Sequence, residues 1–391
     1  MGEINTSRKD LRSKNQKTKR TRSIIRAIII IGLTAVFARI TGIFGTSLAY
    51  LGDFLSQGLS FIHIGKGWPK SGDFTDMLQA EKMGSALCVL DKDNLTLYSP
   101  TGGEIQIYSH SMQNPIISAS GSRAVLYDLN STSLKVLNAS TVVFSRELSN
   151  NIVHADICKS NKVAVTTKSS GYSGEVTVYS YSMEPKMTWY CASGYPIYSK
   201  LSDNGNYMAS LAVSTEGGFL KNSIYIIDVK NGKEMYIIDS ADYPLDVVFT
   251  SPSEFLVIYP NKLARYSVES GGEISSYGFD GGYLKTYTEK NGYIALSYGS
   301  TVFFDSSKVV LLTDGLEEKF SADVDDNVSS LSLSQSRLFA LGSENLYEFN
   351  YDGLLTNTEN VSAFSKMLVN YNGTKLITSV EIENIKKAKN K

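Results

Sequence analysis

The chain has 391 residues and a net charge of −1, and 42% of its residues are hydrophobic. Three cysteines are too few for a disulfide framework. The charge is unevenly distributed, because nine basic and two acidic residues among the first 26 leave −8 for the remainder. A body with this negative charge has no general attraction to nucleic acid, so we expect no nucleic-acid partner.

An apolar segment follows the basic residues. The run from Ile24 to Phe44 is about as long as the roughly 20 residues that a helix needs to cross a bilayer. Arg39 interrupts it near its far end, where the long side chain can reach the outer head groups. The sequence therefore predicts a single transmembrane helix at residues 24–44, with a buried core helix as the alternative.

The charge distribution also predicts the topology of this helix. Basic flanks remain in the cytoplasm, so residues 1–23 form a cytoplasmic arm and the rest of the chain lies outside the cell membrane. Residues 45–60 form a juxtamembrane linker. Cleavage after Ala49 is an alternative, although the apolar run is longer than the usual core of a signal peptide. We favour an uncleaved signal-anchor.

The rest of the chain repeats one unit. Short alternating strands recur in sets of three or four, and the set starts are spaced by 40, 37, 44, 48, 39, 45 and 34 residues. A period of roughly 40–45 residues with four strands is typical of a β-propeller blade. The predicted set starts are Phe74, Asn114, Asn151, Tyr195, Tyr243, Gly282, Asn327 and Val361.

Turn signals support this interpretation. Asn-Gly and Asp-Gly pairs, such as Asn231-Gly232 and Asn372-Gly373, separate strands rich in β-branched and aromatic residues. A chain of two or three sandwiches is the rival, but the repeat is unbroken by a Pro/Ser-rich linker. The predicted fold is all-β, an eight-bladed β-propeller over residues 61–385, with seven blades as the alternative.

The closure of the propeller has a predicted mechanism. The last unit offers only three strands, which would leave an exposed sheet edge. The isolated strand Phe61–Ile64 is expected to supply the missing outer strand and to join the two ends. Residues 386–391 then form a basic tail.

Three segments resemble a known family. NPIISASGSRAVLYDL, TWYCASGYPIYSKLSDNGNYMASLAV and NVSSLSLSQSRLFAL are similar to an uncharacterised, membrane-anchored WD40-like β-propeller family of Gram-positive anaerobes, which has a domain of unknown function. Residues 201–209 resemble the S-P-D-G-x-x-x-A element of such propellers, with Asp203-Asn204 where Pro-Asp is usual. The WD dipeptide is absent. The resemblance implies fold and topology, and it assigns no catalytic residue.

Motifs that carry chemistry are scarce. His63, His110 and His154 lie in no zinc-binding pattern. The acidic run from Asp323 to Asn327 begins like a calcium loop but lacks the glycine and glutamate that an EF-hand requires. It is interpreted as a loop between blades, with a loose cation site as the alternative. No catalytic residue, metal ligand or cofactor is predicted.

Aromatic residues provide the one candidate site. The chain contains 24 tyrosines, a residue type that suits both strand packing and binding surfaces. Four aromatic residues near one blade junction form a predicted contact patch, with inter-blade packing as the alternative. They are Trp189, Tyr190, Tyr195 and Tyr198.

The cysteines have a structural interpretation. Cys88 and Cys158 lie in apolar strand contexts, so they are expected to be small buried hydrophobic residues. A disulfide between Cys158 and Cys191 is the alternative.

The functional hypothesis is a binding or scaffold module at the cell envelope, anchored in the membrane and presenting its propeller outside the cell. An envelope protein is the expected partner. The alternative is a hydrolase or lyase acting on envelope polymers, with its site in the propeller channel; a third hypothesis is a signal transducer whose output is the basic arm. The sequence identifies no reaction.

Overall fold

The computed structural model describes residues 52, 53, 55, 56, 58, 63, 65–300 and 306–385. Within them lie 32 strands, arranged as eight antiparallel four-stranded sheets. The predicted arm and transmembrane helix at residues 1–44 and the tail at 386–391 lie outside the described residues, as does most of the linker. Across the described part of the chain, there is no helix with the length and apolarity that a bilayer crossing requires.

The first two strands show how the ring begins. Strand β1 (Lys70–Ser71) belongs to the eighth blade, and blade 1 then follows in chain order. The strands of blades 1 and 2 are β2 (Gln79–Met83), β3 (Ala86–Leu90), β4 (Asn94–Tyr98), β5 (Glu104–Ser109), β6 (Pro115–Ser120), β7 (Arg123–Asp128), β8 (Ser133–Leu137) and β9 (Val142–Glu147).

The next three blades repeat the same order. Their strands are β10 (Ile152–Ile157), β11 (Val163–Thr167), β12 (Gly174–Tyr179), β13 (Pro185–Cys191), β14 (Tyr195–Leu201), β15 (Tyr207–Glu216), β16 (Phe219–Asp228), β17 (Lys233–Ser240), β18 (Asp246–Ser251), β19 (Glu254–Ile258), β20 (Lys262–Ser267) and β21 (Glu273–Gly278).

The final three blades complete the ring. Their remaining strands are β22 (Tyr283–Lys290), β23 (Tyr293–Gly299), β24 (Ser307–Thr313), β25 (Glu318–Val324), β26 (Ser330–Leu333), β27 (Arg337–Leu341), β28 (Asn345–Asn350), β29 (Leu355–Asn360), β30 (Ser365–Asn370), β31 (Thr374–Thr378) and β32 (Glu381–Asn384). The eight predicted blades are thereby confirmed, and the alternative of seven is excluded.

Burial follows strand position within a blade. Every residue of the second strands β3, β7, β11 and β31 is buried, because these strands lie between two neighbouring blades. The fourth strands β5, β9 and β29 are largely exposed. The apolar core therefore consists of the spaces between successive sheets, as a propeller requires.

Blade 8 is closed by the N-terminal part of the chain. Strand β1 pairs antiparallel with β32, with Lys70 opposite Ile382. The mechanism of closure was therefore predicted, but the segment was wrong: Lys70–Ser71 supplies the outer strand, not Phe61–Ile64. Trp68 explains this register, because its indole donates a hydrogen bond of 3.0 Å to the Pro100 carbonyl and its ring contacts Tyr98 and Tyr371 from blades 1 and 8.

The propeller has two distinct faces. We call the first strand of each blade its inner strand, and the face at which the inner strands start the upper face. The upper face carries the connections between blades and the hairpins between second and third strands. The lower face, at which the inner strands end, carries the loops between first and second and between third and fourth strands. This assignment follows from the antiparallel order of every blade and locates each loop described below.

Candidate functional site

The central channel contains charged residues from several inner strands. Asp156 of β10, Lys200 of β14 and Asp246 of β18 lie on three successive inner strands. Glu81 lies on β2, which is separated from β10 by the inner strand β6. Lys200 Nζ lies 3.8 Å from Asp246 Oδ1, and about a third of the Lys200 side chain remains accessible. Tyr287 donates a hydrogen bond to the other carboxylate oxygen of Asp246.

The backbone explains why these polar side chains occur here. An inner strand is the edge of its sheet, so alternate N–H groups point away from the blade without a strand partner. Ala119 N donates to Glu81 Oε2 at 2.6 Å, and Ile117 N donates to Gln79 Oε1 at 3.0 Å. The side chains of one inner strand thereby bind the backbone of the next.

The same device recurs around the ring. Ser199 N donates to His154 Nδ1 at 3.4 Å, and the Ser118 hydroxyl donates to Asp156 Oδ1 at 3.1 Å. In blade 8, Leu368 N donates to Ser330 Oγ at 3.0 Å. These polar groups link adjacent blades at their inner strands.

Burial in the channel shifts the pKa of several groups. Burial raises the pKa of the Glu81 carboxyl to about 7, and it also raises that of Asp156. Burial, reinforced by Lys200, lowers the pKa of His154 to about 3, so this imidazole is neutral at physiological pH. Burial opposes the charge of Lys200, but Asp246 and Asp156 outweigh it and raise the pKa of this amine.

A second candidate region lies on the upper face of blades 3 and 4. Strands β15 and β16 have 10 residues each, and their hairpin projects beyond the pairing of Tyr195 with Val213 at the start of β14. Gly217 and Gly218 form its tip with φ values of 61° and 86°, a left-handed conformation that favours glycine.

Apolar side chains extend from this hairpin into solvent. Phe219 is 79% exposed and Leu220 is 71% exposed, directly after the glycine pair. Tyr195 is 66% exposed, and the rings of Tyr172 and Tyr190 lie 4.8 Å apart at the edge of blade 3. We call these residues, Tyr172, Tyr190, Tyr195, Phe219 and Leu220, the upper aromatic surface.

A cavity of about 520 Å³ adjoins this surface, between Tyr195 and the base of the hairpin. Lys221 lies in its wall and forms ion pairs of 3.1 Å with Glu216 and with Asp239. Ile237 of the outer strand β17 adds an exposed apolar side chain. The cavity therefore combines an aromatic rim with paired charges.

The four predicted patch residues are found in three environments. Tyr190 and Tyr195 belong to the upper aromatic surface. Trp189 is buried, with its ring 5.0 Å from that of Tyr225 in the next blade. Tyr198 lies beside the channel, 4.1 Å from the His154 ring.

The acidic run at 323–327 covers the end of β25, which includes Asp323 and Val324, and the start of the loop to the next blade. The carboxylate of Asp326 is buried and accepts backbone hydrogen bonds from Asn327, Ser343, Glu344 and Asn345 at 2.7–3.2 Å. In the part of the chain that the structure describes, no group of three or more His, Cys, Asp and Glu residues is placed to hold a metal ion.

Sequence reasoning missed the channel cluster and the hairpin tip. Charged residues within the first strands of the units, as in QAEKM and YSKL, were the signal for the channel. Two large apolar residues directly after Gly217-Gly218 were the signal for the tip. Neither signal shows which other strands lie beside these residues in the folded protein.

Solved structures confirm the architecture. BamB from Moraxella catarrhalis is 14% identical, with a TM-score of 0.54 over 81% of this chain and 98% of that one. The computationally designed Ika8 protein is 12% identical, with a TM-score of 0.61 over 82% and 98%. Saccharomyces cerevisiae Sqt1 is 12% identical, with a TM-score of 0.59 over 81% and 97%. At these identities the similarity shows the fold alone.

A search of curated protein sequences finds no match. A family model does match residues 68–389, which include all of the propeller strands. The chain belongs to the family of unknown function DUF5711.

Proposed function

We propose that this protein is a membrane-anchored, extracytoplasmic β-propeller that binds a protein partner at the cell envelope through its upper aromatic surface. The observation that carries this proposal is the β15–β16 hairpin, which holds Phe219 and Leu220 in solvent at the same end of blade 4 as Tyr195. Exposing two large apolar side chains at a hairpin tip has no benefit for folding. Apolar and aromatic residues on a rigid support are typical of protein interfaces.

The membrane anchor is part of this proposal and is supported by the sequence alone. The apolar run at 24–44 and its basic flank indicate a single crossing with the propeller outside. The fold agrees with a scaffold or binding role, because propellers present many loops on rigid sheets. The solved propellers that this chain resembles share that arrangement.

One observation favours the alternative, an envelope-polymer hydrolase or lyase. The channel contains two carboxylates with raised pKa values, Glu81 and Asp156, as acid catalysis requires. Both carboxylates accept backbone hydrogen bonds from the next inner strand, however. This pairing provides a structural reason for their presence, and we therefore favour the binding role.

Site-specific photocrosslinking in cells tests the binding role. A photoreactive amino acid at Tyr195 is expected to give a discrete adduct that disappears when Phe219 and Leu220 are both changed to serine. The matched control carries the same group at Asn204, an exposed residue in a loop of the lower face. Equal adducts at both positions, or an adduct at Tyr195 that survives F219S/L220S, would contradict the proposal.

A further inference from the structure

A buried polar cluster lies on the lower face, outside the regions described above. Its centre is Asp53, which precedes the first propeller strand by 17 residues and is 4% exposed. Asp53 Oδ2 accepts a hydrogen bond of 2.8 Å from Arg123 Nε, and both side chains are almost inaccessible. An ion pair this deeply buried is costly unless its remaining polar atoms are also paired.

The surrounding groups complete the pairing. Asn138 Nδ2 donates to Asp53 Oδ1 at 2.8 Å, while the Ser122 and Tyr181 hydroxyls donate to Oδ2. Arg123 also stacks on Tyr181, with its guanidinium carbon 4.0 Å from the ring centre. The carboxylate of Asp53 therefore occupies a site built by two blades.

The location of this site in the fold is specific. Ser122 directly precedes β7 and Arg123 is its first residue, while Asn138 follows β8 and Tyr181 follows β12. All four residues therefore belong to lower-face loops or strand ends. Ser56 supports the segment itself, because its hydroxyl donates to the Asp53 carbonyl at 2.8 Å. The upper aromatic surface lies on the opposite face of the propeller, on blades 3 and 4.

We propose that this cluster is a binding site for the chain's own juxtamembrane segment and that it fixes the orientation of the propeller at the membrane, with the lower face toward the bilayer and the upper aromatic surface away from it. The proposal rests on the membrane anchor of the proposed function. Asp53 lies nine positions after Phe44, the end of the predicted helix. At roughly 3.3–3.6 Å per residue, this stretch spans at most about 32 Å, which keeps the lower face near the membrane.

The charges agree with a site made for this segment. Without a carboxylate, Arg123 would be a buried cation without an acidic partner, and such groups are strongly disfavoured. The carboxylate comes from the segment that leads to the predicted anchor rather than from either blade. Blade 2 therefore supplies a buried cation, Arg123, that the juxtamembrane segment neutralises.

Energy transfer between a labelled propeller and labelled lipid tests the orientation. The full chain is placed in phosphatidylcholine–phosphatidylglycerol vesicles that contain an acceptor lipid in the accessible leaflet. A donor is attached to a single new cysteine at Asp352 on the lower face or at Glu216 on the upper face, both exposed. The native cysteines are buried, so labelling at the new site is selective.

Transfer is expected to be at least twofold more efficient from the lower-face label in the otherwise unchanged chain. Asp53→Asn is expected to reduce this ratio towards one while the protein still floats with the vesicles. The matched control is Asp203→Asn, which removes an exposed lower-face carboxylate paired with Lys159.

Each outcome has a distinct meaning. Equal transfer from the two labels in the unchanged chain would overturn the orientation, even if Asp53→Asn does not fold. An unchanged ratio in Asp53→Asn would overturn the role of Asp53. Failure of the unchanged chain to float with the vesicles would overturn the membrane anchor, and with it the premise, before any comparison of faces.

Discussion

Individual polar residues in the channel act between blades rather than within them. Glu81 is the clearest case, since its carboxylate accepts the Ala119 N–H from the next inner strand. This hydrogen bond satisfies the Ala119 N–H, which has no strand partner at the edge of its sheet. The burial that makes such a partner necessary also disfavours the charged form of the Glu81 carboxyl. The raised pKa of Glu81 is therefore a consequence of how the ring is assembled.

The pKa of Glu81 predicts a pH dependence of stability. Because burial raises this pKa from 4.5 to about 7, the folded state binds the proton more tightly than the unfolded state. The free energy of unfolding therefore falls as pH rises between about 4.5 and 7. Glu81→Gln keeps an oxygen acceptor for Ala119 and removes the charge.

We expect Glu81→Gln to be more stable than the unchanged protein at pH 8, by on the order of 1–3 kcal/mol, since one pKa unit corresponds to about 1.4 kcal/mol. The difference should vanish near pH 4. Urea unfolding at both pH values measures it, with the exposed Glu269→Gln as control. A variant that is less stable at pH 8 would refute this account.

Individual strands also follow a shared pattern. In blades 1 to 7 the pairing of the third strand with the fourth shifts register near the lower face, for example between Val136 and Leu137. Such bulges increase the local twist. The recurring bulge is thus a common feature of these sheets, whereas blade 8 has a two-residue outer strand instead.

Strand β32 is expected to be essential for closure. It pairs with both β31 and β1, and Ile382 is fully buried among residues of blades 1 and 8. Deleting residues 381–391 should lower the free energy of unfolding by at least about 3 kcal/mol, the order expected for losing one buried large side chain. Deleting residues 386–391 is the control. Equal urea midpoints for the two truncations would show that β32 is dispensable.

At the scale of the whole molecule, the folded propeller buries the three cysteine thiols away from solvent. Cys88, Cys158 and Cys191 are free and buried, so the expectation of buried small hydrophobic residues is confirmed and the Cys158–Cys191 disulfide alternative is not. Burial also raises the pKa of each thiol, which suppresses the reactive thiolate.

Thiol reactivity should therefore report unfolding of the propeller. At pH 8 the native protein is expected to react with an aromatic disulfide reagent at least 100-fold more slowly than the protein in 6 M guanidinium, where three equivalents react. A thiol that reacts rapidly in the native state would show that the blade containing that cysteine opens locally. Fewer than three equivalents after unfolding would instead show that a disulfide is present.

The sequence by itself determined the all-β class, the blade period and the number of blades, because strand alternation and turn residues are local properties that recur at a fixed spacing. Only the tertiary structure decided which segment closes blade 8, that Trp189 is buried while Tyr195 is exposed, and that Asp53 meets Arg123. These features depend on contacts between residues that are distant in the chain. The periodicity of one strand is a local property, so it cannot predict which side chains lie beside that strand once the ring has closed.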